Sequence, residues 1–290
     1  MNHGKSRLIQ GVWRIGDWGL DAAGVAGLVE ACLDAGIDTF DLADIYTGYQ
    51  CETLFGAALR TAPHLKSRIK LISKCGIALV NSARPQHRVK HYNTSGEHIV
   101  RSAEQSLAAL GVEQLDMLLI HRPDPLMDAD EIAGAFERLQ RDGKVARFGV
   151  SNFLPHQFDL IQSRMKEPLA ANQVEISLKH TDTLFDGTLD HAQQHHVVPQ
   201  AWSPLGGGAL TRLDAGSVLG ATVMRIAAEL NVTAEQLAIA WLLRHPAGIR
   251  PVVGSGKIER IRQLVAAEKI VLDRQHWFEL LEASLGRAVP

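Results

Sequence analysis

Four residues whose side chains can move protons stand at or just past the ends of short apolar runs: Asp41 and Tyr46 in F-D-L-A-D-I-Y, Lys74 in L-I-S-K, and His121 in L-L-I-H. A phenol with a pKa near ~10 keeps its proton at neutral pH and yields it readily only where something stabilises the phenolate, which an adjacent ammonium does. Lys74 suits that task. A lysine at the end of an apolar strand tends to lose its own proton on desolvation, so it needs a carboxylate partner, and Asp41 is the candidate. His121 can hydrogen-bond a substrate oxygen and turn it toward Tyr46. The set suits reduction of a carbonyl, with hydride arriving on carbon and Tyr46 giving a proton to oxygen. It contains no activated nucleophile.

These four residues can meet only if successive strands deliver them to one place. Short apolar runs alternate with stretches of helical period throughout the chain, and no Ser- or Pro-rich linker divides it. Strands are expected at residues 8–13, 39–42, 69–75, 115–121, 146–151, 171–175, 198–202 and 248–252. Helices are expected at 22–35, 52–60, 97–109, 129–141, 155–164, 189–195, 217–230 and 258–267, with additions at 234–244 and 273–283. Eight such units in 290 residues match a closed (β/α)₈ TIM barrel, which typically needs roughly 250 residues, better than an open doubly wound sheet. One α/β domain over residues 1–290 is the expectation. All strands of such a barrel point the same way, so their C-terminal ends form one rim, where barrel enzymes carry their active sites. The connection 76–94, with Arg84, His87, His91 and Tyr92, is the longest irregular stretch and is expected to lie over the site. Trp18, Tyr49 and Tyr92 either line a substrate pocket or cover apolar surface.

Composition narrows the partners. A hydrophobic fraction of 46% and a charged fraction of 21% fit an ordinary globular chain. A formal net charge of -2 with scattered basic residues argues against nucleic acid and acidic membranes. The absence of an apolar leader or of any run near ~20 apolar residues points to a cytoplasmic protein with no membrane span. The cysteines Cys32, Cys51 and Cys75 are odd in number and widely spaced, which fits a reducing compartment without a disulfide framework. The 13 histidines raise the possibility of a metal-dependent hydrolase. His87 and His91 lack a supporting carboxylate, and the adjacent His195 and His196 do not face one ion, so no metal is expected in the catalytic site.

Seven segments in register, F-D-x-A-D-x-Y, S-K, H-R-P, G-V-S-N-F, N-Q-V-E, W-S-P-L-G-G-G and V-G-S-G-K-I-E-R, together resemble the aldo-keto reductases from about Gly11 to Arg260. Within that family the chain most resembles the bacterial YdhF-type oxidoreductases, in C-E-T-L-F-G-A-A-L from Cys51, H-R-P-D-P-L-M-D-A-D from His121 and R-Q-H-W-F from Arg274. The resemblance implies that Asp41, Tyr46, Lys74 and His121 form the catalytic tetrad and that the cofactor is NADP, as NADPH. It implies that Ser151, Asn152 and Gln173 bond the nicotinamide carboxamide while Trp202 stacks on the ring. Ser203, Pro204, Leu205, Gly206 and Gly207 would bring backbone close to the pyrophosphate. Gly254, Ser255, Gly256, Lys257 and Arg260 would open a helix that favours a phosphate, and Lys257 and Arg260 favour NADPH over NADH. Trp13 and Arg14 would touch cofactor or substrate, and Asp41 lies against the cofactor as well. Two positions depart from the pattern: Val12 stands where relatives often carry Thr, and Gly254 where some carry a basic residue.

Taken singly, each of these residues has an ordinary reading: Asp41 as a turn residue, Lys74 as a strand-end charge reaching solvent, His121 as a hydrogen-bonded structural histidine. Their joint placement at one rim favours catalysis. Two functions compete. The first is a carbonyl reductase acting on a small-molecule aldehyde or ketone, as a monomer or weak homo-oligomer. The second is a nucleotide-binding regulatory or redox-sensing barrel with slow turnover, since a fold does not fix its function. Retention of all four tetrad residues favours the first.

Overall fold

The computed structural model describes residues 5–289. In chain order its strands are β1 (Ile9–Gly11), β2 (Thr39–Asp41), β3 (Lys70–Cys75), the short β4 (Ile77–Ala78) and β5 (His91–Tyr92), then β6 (Met117–Ile120), β7 (Phe148–Ser151), β8 (Ala171–Glu175), β9 (Val198–Trp202) and β10 (Arg250–Val253). All but β4 and β5 pair in parallel and close a barrel in the order β1-β10-β9-β8-β7-β6-β3-β2. Each barrel strand expected from the sequence is present. The first is shorter than expected, because Trp13 turns out of the ladder and is exposed. The 76–94 connection is also more regular than expected: β4 and β5 form an antiparallel hairpin through Ile77 opposite Tyr92 and Ala78 opposite His91.

Local sequence starts and stops the outer helices. The Asp21 carboxylate accepts from the Gly24 N–H at 2.7 Å and caps Ala22–Asp34. Asp128 accepts from the Asp130 and Glu131 N–H groups ahead of Ala129–Arg141, and Thr233 and Gln236 cap each other's backbone ahead of Ala234–Leu243. The two additional helices, Ala234–Leu243 and Arg274–Leu285, are stapled by Trp241 and Trp277. Their rings stack at 5.1 Å, and each indole donates to the other's carbonyl.

What positions the site is the two-residue period of the strands, which sends residues i and i+2 to the same side. The barrel interior is filled low down by Ile9, Ile72, Met117, Leu119, Ala171 and Val252. Two residues further along, the same inward positions carry Lys74 after Ile72, His121 after Leu119 and Gln173 after Ala171. The core is therefore apolar at the bottom and polar at the C-terminal rim. Larger apolar layers lie between barrel and helices on the outside. All three cysteines are buried and unpaired, and among the described residues no single helix is long and apolar enough to cross a membrane.

Helix Cys51–Thr61 carries Tyr46's flank and presses on helix Gly96–Leu110 at Gly56. A Cβ at Gly56 would lie 2.1 Å from the Ala109 carbonyl oxygen and 2.9 Å from Leu110 Cα, and backbone cannot yield cheaply there. Gly56→Ala is expected to lower stability by about 1–3 kcal/mol, measured by urea denaturation; an unchanged midpoint would contradict so close a crossing.

Candidate active site

Asp41 closes β2, Lys74 lies in β3, His121 follows β6, and Tyr46 sits on the turn after β2, so the barrel brings all four together at its C-terminal rim. Lys74 is fully buried, with 0% exposure. All three of its N–H donors are used: to Asp41 Oδ2 at 2.7 Å, to the Leu42 carbonyl at 2.8 Å and to the Tyr46 hydroxyl at 3.1 Å. The other Asp41 oxygen accepts from Gln173 Nε2 at 2.8 Å, and the same nitrogen donates to Gln200 Oε1 at 3.0 Å. The Tyr46 and His121 rings meet edge to face at 5.5 Å. His121 Nδ1 is buried without a partner.

The backbone around this cluster is held in uncommon conformations. Among the described residues, four of the six non-glycine residues with positive φ lie here: Thr47 and Tyr49 just past Tyr46, Asn152 after β7 and Ser203 after β9. Such left-handed residues persist only where neighbours over-determine them. Thr47 Oγ1 donates to the Trp13 carbonyl at 3.2 Å. The Asn152 amide nitrogen donates to Ser151 Oγ at 2.8 Å, and its oxygen accepts from Trp202 Nε1 at 2.9 Å.

Burial and charge set the protonation states. Burial lowers the Lys74 pKa, but Asp41 and Tyr46 outweigh it, and the ammonium is held above its ordinary value. For Tyr46, burial raises the phenol above its ordinary value, and Lys74 pulls against that rise. Lys74 thus acts on Tyr46 in the direction expected from sequence, favouring the phenolate, while burial acts the other way. Tyr46 is accordingly a neutral O–H at neutral pH, with its proton available. Burial, then the positive charges of Lys74, Arg122 and Lys90, holds His121 well below the usual imidazole range, so its ring is neutral.

Above the cluster opens a cavity of about 740 Å³. Of the residues expected from sequence, Asp41, Tyr46, His121, Trp13, Arg14, Ser151, Asn152, Gln173, Trp202, Ser203, Pro204, Leu205, Gly207, Gly254 and Arg260 line it. Lys74 lies behind the others. Gly206, Ser255, Gly256 and Lys257 are not among the residues that line the cavity. A Cβ on Gly206 would meet Lys179 at 2.9 Å, one on Gly256 would meet Trp18 at 2.6 Å, and Ser255 Oγ accepts from the Lys257 N–H at 3.1 Å ahead of helix Ile258–Ala266. Trp18, Tyr49 and Tyr92 do not line it, nor does the 76–94 connection. The β4–β5 pairing and a bond from the Leu79 N–H to the Tyr49 hydroxyl at 2.7 Å hold that segment to one side, where it braces Tyr49.

Sequence reasoning missed several lining residues, among them Gly11, Gly208, Thr211, Arg212 and Arg122. Arg122 was legible, since it sits inside H-R-P; its guanidinium lies 5.5 Å from the Trp202 ring centroid. Also missed was a second tier of buried acids. Glu52 accepts from Ser73 Oγ at 2.5 Å. Burial raises its pKa, and burial together with Glu52 raises that of Asp44 well above the usual carboxylate range.

A polar floor of amide and hydroxyl groups, an indole wall and a stretch of glycines suit a dinucleotide. Gly207 and Gly208 have positive φ, and no atom lies within 4 Å of where their Cβ atoms would be. Comparison with known proteins agrees. The model of the Aldo/keto reductase family matches residues 7–284. The chain is 52% identical to Oxidoreductase YdhF of Escherichia coli over 98% of this chain and 95% of that protein. It is 48% identical to a 6-dehydroglucose reductase of Agrobacterium fabrum over 98% of this chain and 96% of that one. It also superposes with a TM-score of 0.76 on an aldo/keto reductase from Klebsiella pneumoniae solved with NADP and acetate, at 26% identity, covering 98% of this chain and 92% of that chain.

Two outcomes are expected. Lys74→Met should cost about 3–5 kcal/mol of stability, because it leaves Asp41 buried without its counter-ion; a loss below ~1 kcal/mol in urea denaturation would contradict the buried pair. The second concerns pH. His121 and His98, the latter brought by burial to about 4, bind protons more weakly folded than unfolded. Their effect is absent above about pH 6.5, and stability falls as pH drops below it. His98→Gln should shrink the fall in Tm between about pH 7 and pH 5; equal falls in both proteins would contradict the shift.

Proposed function

We propose, from the premise that this chain belongs to the aldo/keto reductase family, that it reduces an aldehyde or ketone to an alcohol with NADPH, with Tyr46 as the proton donor. The observation that carries the reading is the buried Lys74 ammonium, joined to Asp41 Oδ2 at 2.7 Å and to the Tyr46 hydroxyl at 3.1 Å beneath the cavity.

When bound, NADPH supplies the hydride that the carbonyl carbon accepts. The side chains of this protein manage the oxygen and the proton. His121, neutral and beside Tyr46, orients the carbonyl oxygen by a hydrogen bond. Tyr46 passes its proton to that oxygen as negative charge grows there, giving the alcohol and leaving a phenolate. Lys74 stabilises that phenolate by opposite charge, and Asp41 keeps Lys74 protonated in a site that otherwise favours the neutral amine. Gln173 holds the free oxygen of Asp41, so the chain of contacts is fixed before substrate arrives, which is where preorganised electrostatics gain their effect.

In this reading Ser151, Asn152 and Gln173 would bind the nicotinamide carboxamide and Trp202 would cover the ring. Ser203, Pro204, Leu205, Gly206 and Gly207 would border the pyrophosphate, and Trp13 and Arg14, which also line the cavity, would touch cofactor or substrate. Arg260, which lines the cavity, is the cation for the additional phosphate that distinguishes NADPH, with Ser255, Gly256 and Lys257 shaping the turn beneath it. Gly254 contributes no charge there, so preference for NADPH rests chiefly on Arg260. The name of the Agrobacterium relative makes 6-dehydroglucose, an aldehyde on a sugar, a substrate to include beside simple aldehydes and dicarbonyls.

Tyr46→Phe tests the assignment. NADPH affinity, followed by tryptophan fluorescence, should be unchanged, while kcat falls by ~10²-fold or more. Near-wild-type kcat in that variant would remove Tyr46 from the proton transfer.

A further inference from the structure

Outside the barrel, among residues that do not line the cavity, two helices bring three ligand-type side chains together. Helix Thr188–Gln194 carries His191, and His195 follows as its C-terminal cap. They are four positions apart and so lie on one face, one turn from each other, with ring centroids 4.4 Å apart. The neighbouring helix Pro155–Gln162 contributes Asp159, whose Oδ1 is 2.7 Å from His191 Nε2. One potential ligand atom from each of the three residues lies within 4.8 Å of the others.

We propose that Asp159, His191 and His195 form a site for a zinc-type divalent cation that clips these two outer helices together. Two imidazole nitrogens and one carboxylate oxygen are a donor set that suits zinc and disfavours magnesium or calcium, which require oxygen ligands. Zinc–nitrogen bonds of about 2.0–2.1 Å in tetrahedral array put ligand atoms roughly 3.3 Å apart. The carboxylate and His191 are already closer than that. Bringing in His195 takes only side-chain rotation, since Asp159 and His195 are both exposed. His191 is the fixed member: its side chain is 11% exposed and its ring meets Phe158 edge-on at 5.0 Å. Three protein ligands leave the fourth position to water. None of the three residues borders the cavity, so the site bears on the packing of the outer wall and not on the reduction.

The sequence holds the spacing in D-H-A-Q-Q-H-H, but adjacent His195 and His196 draw the eye first. His196, past the end of the helix with φ 54°, is not part of the group. The test is calorimetric titration of chelator-treated full-length protein with zinc chloride, beside His195→Gln and Asp159→Asn, with magnesium chloride as control. The expected result is one zinc per chain, about tenfold or greater loss of affinity in each variant, a zinc-dependent rise in Tm of the wild type alone, and no heat from magnesium. No saturable zinc binding, or equal affinity in wild type and His195→Gln, would overturn the proposal. Because both variants leave the cavity untouched, carbonyl reduction should be unchanged in them.

Discussion

A fully buried ammonium governs this structure. Lys74 has no contact with water, so each of its three protons must find a protein acceptor, and the three acceptors define the site: Asp41 from the neighbouring strand, the Leu42 carbonyl beside it, and the hydroxyl of Tyr46. Removing any one leaves a buried donor unsatisfied. The barrel supports this arrangement because adjacent parallel strands hold Asp41 and Lys74 in register, with Asp41 paired beside Ile72, two residues before Lys74. Breaking the closure of the barrel would separate the pair.

The same constraint explains why the strain lies where it does. Tyr46 reaches Lys74 from the turn after β2, and directly past it Thr47, Gly48 and Tyr49 all take positive φ. On the far side, Asn152 and Ser203 do likewise, and Asn152 joins Ser151 to Trp202. Polar side chains are thus aimed into the cavity by backbone that would be costly elsewhere, while apolar residues lower in the barrel carry the stability. Arg122 adds a positive charge beside Trp202 and helps keep His121 neutral.

The fold was legible because period and polarity agree along the chain: eight apolar runs, each followed by a stretch of helical period, leave little choice of topology. The cluster of Asp41, Tyr46, Lys74 and His121 was legible because these residues lie at or just past the ends of strands, where an ionisable group stands out. Less was legible in loops. Nothing in the composition of 76–94 announced the pairing of Ile77–Ala78 with His91–Tyr92, since two-residue strands carry no periodic signal. Gly206 and Gly256 read as phosphate-loop glycines, and nothing in the sequence signalled that Lys179 and Trp18 occupy the space a side chain would need at each. Asp44 and Glu52 were hidden for another reason: both sit in a helical or turn context where an acid is unremarkable, and only burial makes them unusual.

The measurement that bears most directly on the account is the loss of reduced-nicotinamide absorbance when purified protein is mixed with NADPH and a panel of aldehydes, dicarbonyls and 6-dehydroglucose, with NADH run in parallel. The account predicts carbonyl-dependent oxidation of NADPH, slower with NADH, with alcohol formed in equal amount. Tight binding of NADPH without turnover on any carbonyl would contradict it, and would mean that the Asp41–Lys74–Tyr46 chain serves a nucleotide-sensing barrel rather than a reductase.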